Sequence, residues 1–209
     1  MSKLFEKSLR EVIEVSASKS PTPGGGSVSA IVACFGLAMA SMVANLTLGK
    51  EKYKDVAPQI DESLKEINEL IKNLEELVEA DMAVFNNFMK AYRLKGNTGT
   101  EKVARENAIQ KALQEATDTP IEIARLCLKV LHIAERLSVA GNKMAVSDAG
   151  VAALLADAAL KSVLLNVDIN LPMIKDQKYV NKVVAEKEDM ISEAGYLREK
   201  ALTEVQRRI

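Results

Sequence analysis

Apolar residues recur three and four positions apart along most of this chain, and that spacing predicts helices. Leu4, Phe5, Leu9, Val12 and Ile13 place a first amphipathic helix over 3–17. Residues 28–48 are almost continuously apolar and rich in Ala, so they predict a helix buried on nearly all sides. Ile60, Leu64, Ile67, Ile71, Leu74 and Val78, with Lys and Glu between them, mark one long helix over 55–94 whose first turn accommodates Pro58. A turn at Gly96-Asn97-Thr98-Gly99-Thr100 leads into a further helix ending near Leu137, with a kink or short break expected before Pro120. Residues 151–167 are a second apolar, Ala-rich helix, with Ser147 and Asp148 as its expected cap. Residues 173–209 are amphipathic and read as one or two outer helices. Alternation at period two is missing, so no strand is expected. The pattern predicts a single all-α domain over 1–209, an up-down or orthogonal bundle around two buried central helices.

Composition narrows this picture. Only 4% of residues are aromatic and there is no Trp, so the core must be aliphatic. A net charge of −1 gives no basic surface for nucleic acid. Residues 28–48 are long enough to span a bilayer, but Ser29, Ser41, Asn45 and Thr47 and the lack of flanking aromatics argue for a helix inside a folded protein, with no membrane partner. Two such apolar helices are hard to cover in one chain of 209 residues, which favours a homodimer or a higher even assembly. Cys34 and Cys127 sit within helical patterns, as expected of buried free thiols in the cytoplasm. With those two cysteines and the single His132, no metal-ligand spacing is present, and neither a metal nor a cofactor is expected.

One segment breaks the helical pattern. Ser20-Pro21-Thr22-Pro23-Gly24-Gly25-Gly26-Ser27 runs directly into the central helix. Prolines stiffen it, and three glycines leave its backbone bare beside a helix N-terminus, where unpaired N–H groups suit an anion or a carbonyl. Gly24, Gly25, Gly26 and Ser27 are therefore binding candidates, with Ser27 alternatively a simple N-cap. It has neither the spacing of a P-loop nor that of a dinucleotide-binding turn. Asn142, Asp148, Asn166, Asp168 and Asn170 surround the second apolar helix. As amides they can read a flat heterocycle, with Asp148 carrying a proton; as caps they merely end helices. Asp81 stands among Val78, Met82, Val84 and Phe85, where burial would raise its pKa and suit it to acid–base work. Lys50, beside Lys52 and Tyr53, is a candidate for a ligand carboxylate.

The stretches Pro21-Thr22-Pro23-Gly24-Gly25-Gly26-Ser27, Met42-Val43-Ala44-Asn45-Leu46-Thr47-Leu48-Gly49-Lys50 with Tyr53, Ser147-Asp148-Ala149-Gly150-Val151-Ala152-Ala153, and Asn166-Val167-Asp168-Ile169-Asn170-Leu171 together resemble the cyclodeaminase/cyclohydrolase family of folate one-carbon metabolism. The resemblance covers essentially the whole chain. It implies an all-helical dimer with active sites near the subunit interface. It also implies a tetrahydrofolate substrate, with or without a polyglutamate tail, and chemistry at the carbon between N5 and N10. In a cyclohydrolase, water opens the 5,10-methenyl bridge to 10-formyltetrahydrofolate. In a cyclodeaminase, N10 attacks a 5-formimino group and ammonia leaves. With no transferase segment in this chain, the hydrolytic reading is favoured over the deaminase. A non-catalytic helical interaction protein is the distant alternative. Asp148 and Asp81 are the expected catalytic carboxylates. Gly24, Gly25, Gly26, Ser27, Lys50, Asn142, Asn166 and Asn170 are the expected substrate contacts. The N–H groups after Gly26, together with Lys50, are expected to hold the glutamate tail, and Gly25→Ala is expected to weaken folate binding.

Overall fold

The computed structural model describes residues 3–209, among which there is no strand. Six α-helices follow in order: α1 (Leu9–Ser16), α2 (Gly25–Thr47), α3 (Ala57–Tyr92), α4 (Gly99–Ala140), α5 (Val146–Asn170) and α6 (Gln177–Arg208). Single 3-10 turns stand at Leu4–Glu6, Glu51–Tyr53, Lys143–Ala145 and Leu171–Met173. α2 and α5 lie side by side at the centre, α3 covers α2 and α4, and α6 covers α4 and α5. The two central helices pack closely because small residues face each other. A Cβ on Gly36 would sit 3.3 Å from the Ala152 carbonyl oxygen, and Ala33, Ala40, Ala149, Ala152, Ala153 and Ala156 are completely buried.

Several boundaries differ from expectation for identifiable reasons. The first helix is split at Lys7, because Ser8 and Glu11 form a capping box that starts α1 afresh. α2 begins three residues early, so Gly25 and Gly26 lie inside its first turn, and Gly24 rather than Ser27 is its N-cap. α4 passes through Pro120 without a break. Proline deprives the Ala116 carbonyl of its helical partner, and Asn170 replaces it, its Nδ2 donating to Ala116 O at 3.0 Å. α5 starts at Val146, not at Ser147, with Ala145 at the cap. Asn142 instead caps the preceding Lys143–Ala145 turn, its side chain accepting from the Met144 N–H at 3.1 Å.

α2 is not covered all round. Val28, Phe35, Met42 and Leu46 form an exposed stripe along it, and Val151, Leu154, Leu165 and Ile169 form another along α5. Both helices are long and apolar enough to cross a membrane, yet half or more of each apolar stretch is buried within the bundle.

Candidate active site

The glycine segment and α3 make one constructed feature. α3 returns antiparallel to α2, which brings Asp81 level with the first turn of α2. The Asp81 carboxylate lies directly against Gly26, where an added Cβ would stand 2.3 Å from Oδ1 and 2.7 Å from Cγ. Only glycine leaves room there. Ser27 Oγ donates to Asp81 Oδ2 at 2.7 Å. Burial pushes the Asp81 pKa above the ordinary aspartate value, opposed by hydrogen bonds from the Ser27 hydroxyl and N–H. Asp81 is thus a carboxyl group of raised basicity, fixed at the positive end of a helix.

Asn166 of α5 completes this end, with its side-chain amide 3.5 Å from where a Cβ on Gly25 would lie. Gly25 is helical, and the only positive φ in the described backbone is at Gly49, so the need for glycine at 25 is not conformational. On the flank of α3 away from Gly26, a cavity of about 560 Å³ is lined by Leu4, Val15, Thr22, Pro23, Glu79 and Met82, among others. The first segment is pinned to it by the Leu4 N–H, which donates to Glu79 at 2.7 Å.

The other predicted residues gather elsewhere. Asn142 is buried, and its Nδ2 donates to Leu46 O at 2.8 Å while its N–H donates to Thr47 Oγ1 at 2.8 Å. Tyr53 reaches the same turn, its hydroxyl accepting from the Lys143 N–H at 3.0 Å. Gly141 makes this junction possible, since a Cβ there would lie 2.6 Å from Val43 Cγ1. Asp148 is half-buried in the first turn of α5, and its carboxylate has no hydrogen bond or ion pair among the described residues. Lys50 is exposed just before the Glu51–Tyr53 turn.

This second cluster stands at the C-terminal end of α2, and the first at its N-terminal end. Most of the length of the 23-residue α2, at about 1.5 Å per residue, lies between them, a separation of roughly 30 Å. Within one chain, Lys50 and the N–H groups after Gly26 therefore cannot hold the same glutamate tail, contrary to expectation. Asp148 and Asp81 are likewise apart. Asn170 is committed to the Ala116 carbonyl, and Asp168 pairs with Lys187. Sequence reasoning did not foresee the Ser27–Asp81 bond or the support of Asn142 by Tyr53 and Thr47. The available signal was Gly26 itself, a helix-weakening residue inside a helix.

His132 is bound to Glu193 at 2.9 Å on the surface. Burial pushes the Cys34 thiol up to about 12 and Cys127 higher still, so neither is poised as a nucleophile. Among the described residues, no three His, Cys, Asp or Glu stand together as a metal site.

A family model for formiminotransferase-cyclodeaminase matches residues 8–189. The chain belongs to this family. It is 40% identical to a methenyltetrahydrofolate cyclohydrolase of Methylorubrum extorquens, covering 92% of this chain and 93% of that one. It is 30% identical to the formimidoyltransferase-cyclodeaminase of Mus musculus over 91% of this chain, which spans only 35% of that protein. The crystal structure of formiminotetrahydrofolate cyclodeaminase from Thermotoga maritima superposes with a TM-score of 0.88 at 31% identity, covering 97% and 98% of the two chains. The loop and Asp81 fall inside the matched span, as does the Asn142–Asp148 turn.

Proposed function

We propose that this chain hydrolyses 5,10-methenyltetrahydrofolate to 10-formyltetrahydrofolate. The observation that carries the chemistry is Asp81, a buried carboxyl group of raised basicity set against the bare backbone of Gly26. The preference for hydrolysis draws on the near-full-length similarity to a cyclohydrolase. In this reading the methenyl carbon binds beside Asp81. The carboxylate takes a proton from the attacking water as the C–O bond forms, giving a tetrahedral carbon between N5 and N10. The proton then passes to N5 as the N5–C bond breaks, while the hydroxyl on the former bridge carbon loses its own proton to solvent and becomes the carbonyl, leaving the formyl group on N10. Overall, one water is consumed and one proton released. A carboxyl group whose pKa is raised above its ordinary value is better matched to both transfers. No resident cofactor is needed.

A second reading, deamination of 5-formiminotetrahydrofolate, is favoured by the fold match to the Thermotoga cyclodeaminase. It passes through the same type of tetrahedral carbon and needs the same proton carrier. Loss of methenyltetrahydrofolate absorbance on adding the protein tests the first reading, and ammonia release from the formimino compound tests the second. A protein inactive in the first assay and active in the second replaces hydrolysis with deamination.

The chain acts as a homodimer in this proposal, in the cytoplasm, on folates with or without a polyglutamate tail. The support is the exposed stripes of α2 and α5. Two antiparallel helices of this length, about 10 Å apart, present a strip of roughly 700 Å², close to the ~800 Å² per partner of a stable interface. α2 carries no charged residue. Two-fold packing with antiparallel α2 helices would bring the Asn142–Asp148 end of one protomer toward the Gly26–Asp81 end of the other.

A further inference from the structure

The interior stripe of α3 does not stop where its cover stops. Ile60, Ser63, Ile67, Leu70, Leu74 and Val78 follow one another at three- and four-residue steps, and all are buried. The same steps continue through Asp81, Phe85, Phe88 and Tyr92. α2, however, begins at Gly25, level with Asp81, so α3 runs about 16 Å beyond it. From 79 to 111, the whole outer part of the α3–α4 hairpin, only Ala91 is buried. The rings of Phe85 and Phe88 are half-buried. An inward-facing aromatic ladder thus emerges above the glycine loop and leads down to the candidate proton carrier.

The concentration is unusual for this chain. It has four Phe, four Tyr and no Trp, and three of those eight rings stand on this one stripe. The ladder is also braced. Phe88 and Tyr92 have ring centroids 6.1 Å apart at 39°. Arg105 of α4 covers the Tyr92 ring at 5.3 Å and donates to the Tyr92 carbonyl at 2.8 Å, tying the two arms together. An exposed arm with no ligand to meet would gain little from three rings on its inner face. A flat conjugated substrate, reacting at Asp81, would gain a stacking surface that continues from the reacting atom.

We propose that Phe85 and Phe88 form the stacking wall of the substrate site, holding the planar rings of the folate while its one-carbon bridge lies beside Asp81. Tyr92 orders this wall from outside. The inference rests on the folate reading but not on which folate reaction is catalysed, since both substrates carry the same rings. Stacking holds the ground state and the transition state alike, so its loss raises KM and leaves kcat little changed.

Two variants test it. Phe88→Leu keeps an apolar side chain and removes the ring, and is expected to raise KM for methenyltetrahydrofolate about tenfold with kcat within about twofold. Phe88→Trp keeps an aromatic surface and gives the protein its only tryptophan. Its emission is expected to fall, saturably, on titration with 5-formyltetrahydrofolate, which has the rings without the reactive bridge. Free tryptophan corrects for absorbance by the ligand. The fluorescence reads binding without turnover. Wild-type protein that turns over neither folate substrate, while the Trp variant is quenched, removes the proposed reaction and keeps the wall. Turnover by the wild type with an unchanged KM in Phe88→Leu, or without saturable quenching in Phe88→Trp, overturns the wall and keeps the reaction.

Discussion

Gly26→Ala is the sharpest test of the carboxylate's placement, because the new methyl group would fall directly on Asp81. The new methyl carbon would stand 2.3 Å from Asp81 Oδ1, 2.7 Å from Cγ and 2.9 Å from Oδ2, whereas ordinary contact begins near 3.4 Å. The carboxyl group must therefore retreat by roughly 1 Å, since the helix backbone holding the methyl cannot. That retreat stretches the 2.7 Å bond from Ser27 Oγ. A hydrogen bond to a charged group contributes about 1.5–3 kcal/mol, while replacing glycine within a helix returns about 0.5–1 kcal/mol. The net destabilisation is about 1 kcal/mol, and Tm should fall by only about 2–4 °C in a chain of this size. Turnover should suffer far more, because a misplacement of about 1 Å at a reacting group costs on the order of 100-fold. The assay is methenyltetrahydrofolate absorbance at saturating substrate, with melting measured alongside. Gly25→Ala is the matched control, since its methyl group would meet Asn166 at an ordinary 3.5 Å. Any loss of folate binding in that variant, at unchanged Tm, reports the approach of the ligand to the backbone. Wild-type turnover by Gly26→Ala would falsify the assignment of Asp81 as proton carrier.

Asp81→Asn should lower turnover by 10²-fold or more while Tm at pH 7 is maintained or raised. The sign follows from the raised folded pKa: the folded state binds more protons than the unfolded one, so Asp81 makes stability fall as pH rises from about 4 through that pKa, and the amide removes this loss. Melting curves of both proteins from pH 3.5 to 8 should therefore converge at the acid end, and divergence there would refute the linkage. Asp148→Asn should leave Tm within about 2 °C, because Asp148 is neither the cap of α5 nor hydrogen-bonded, and a fall in folate turnover would mark it as functional. Sedimentation equilibrium at micromolar concentration should find a dimer, and Leu154→Glu with Phe35→Glu should shift it to monomer; wild-type monomer would contradict the interface.

The helical class and the long helices were legible because burial follows the 3.6-residue period, as the stripe from Ile60 to Val78 shows. Errors arose where a residue's local preference was overruled by a distant partner. Gly25 and Gly26 read as loop because glycine weakens helices, yet they lie within α2, where Gly26 leaves the Asp81 carboxylate its space. Pro120 read as a break because it cannot donate, and the compensating donor, Asn170, lies 50 residues downstream in sequence but adjacent in space. Ser147 and Asp148 read as a cap because their types favour it, but α5 starts without a side-chain cap at Ala145, and Asn142 caps the 3-10 turn that leads into it. Grouping Asp148 with Asn166 was natural in sequence, where both flank one apolar run. An α-helix separates them by 18 rises, about 27 Å.

That separation constrains any mechanism using both carboxylates. N5 and N10 of one folate lie within a few ångströms of each other, so groups about 30 Å apart in a chain cannot both attend the bridge between them. Either Asp81 does the proton work alone, supported by Ser27 and the N-terminus of α2, or the second carboxylate arrives from another protomer. The same Asp148→Asn variant separates these cases. Full turnover leaves Asp81 as sole carrier. If turnover is lost, co-expression with Asp81→Asn becomes decisive. In a mixed dimer, one of its two sites would combine an intact Asp81 from one chain with an intact Asp148 from the other. Random pairing gives mixed dimers in about half the population, so about a quarter of wild-type activity should return. No recovery from two inactive, dimeric variants would place Asp148 outside a shared site and confine its effect to its own chain.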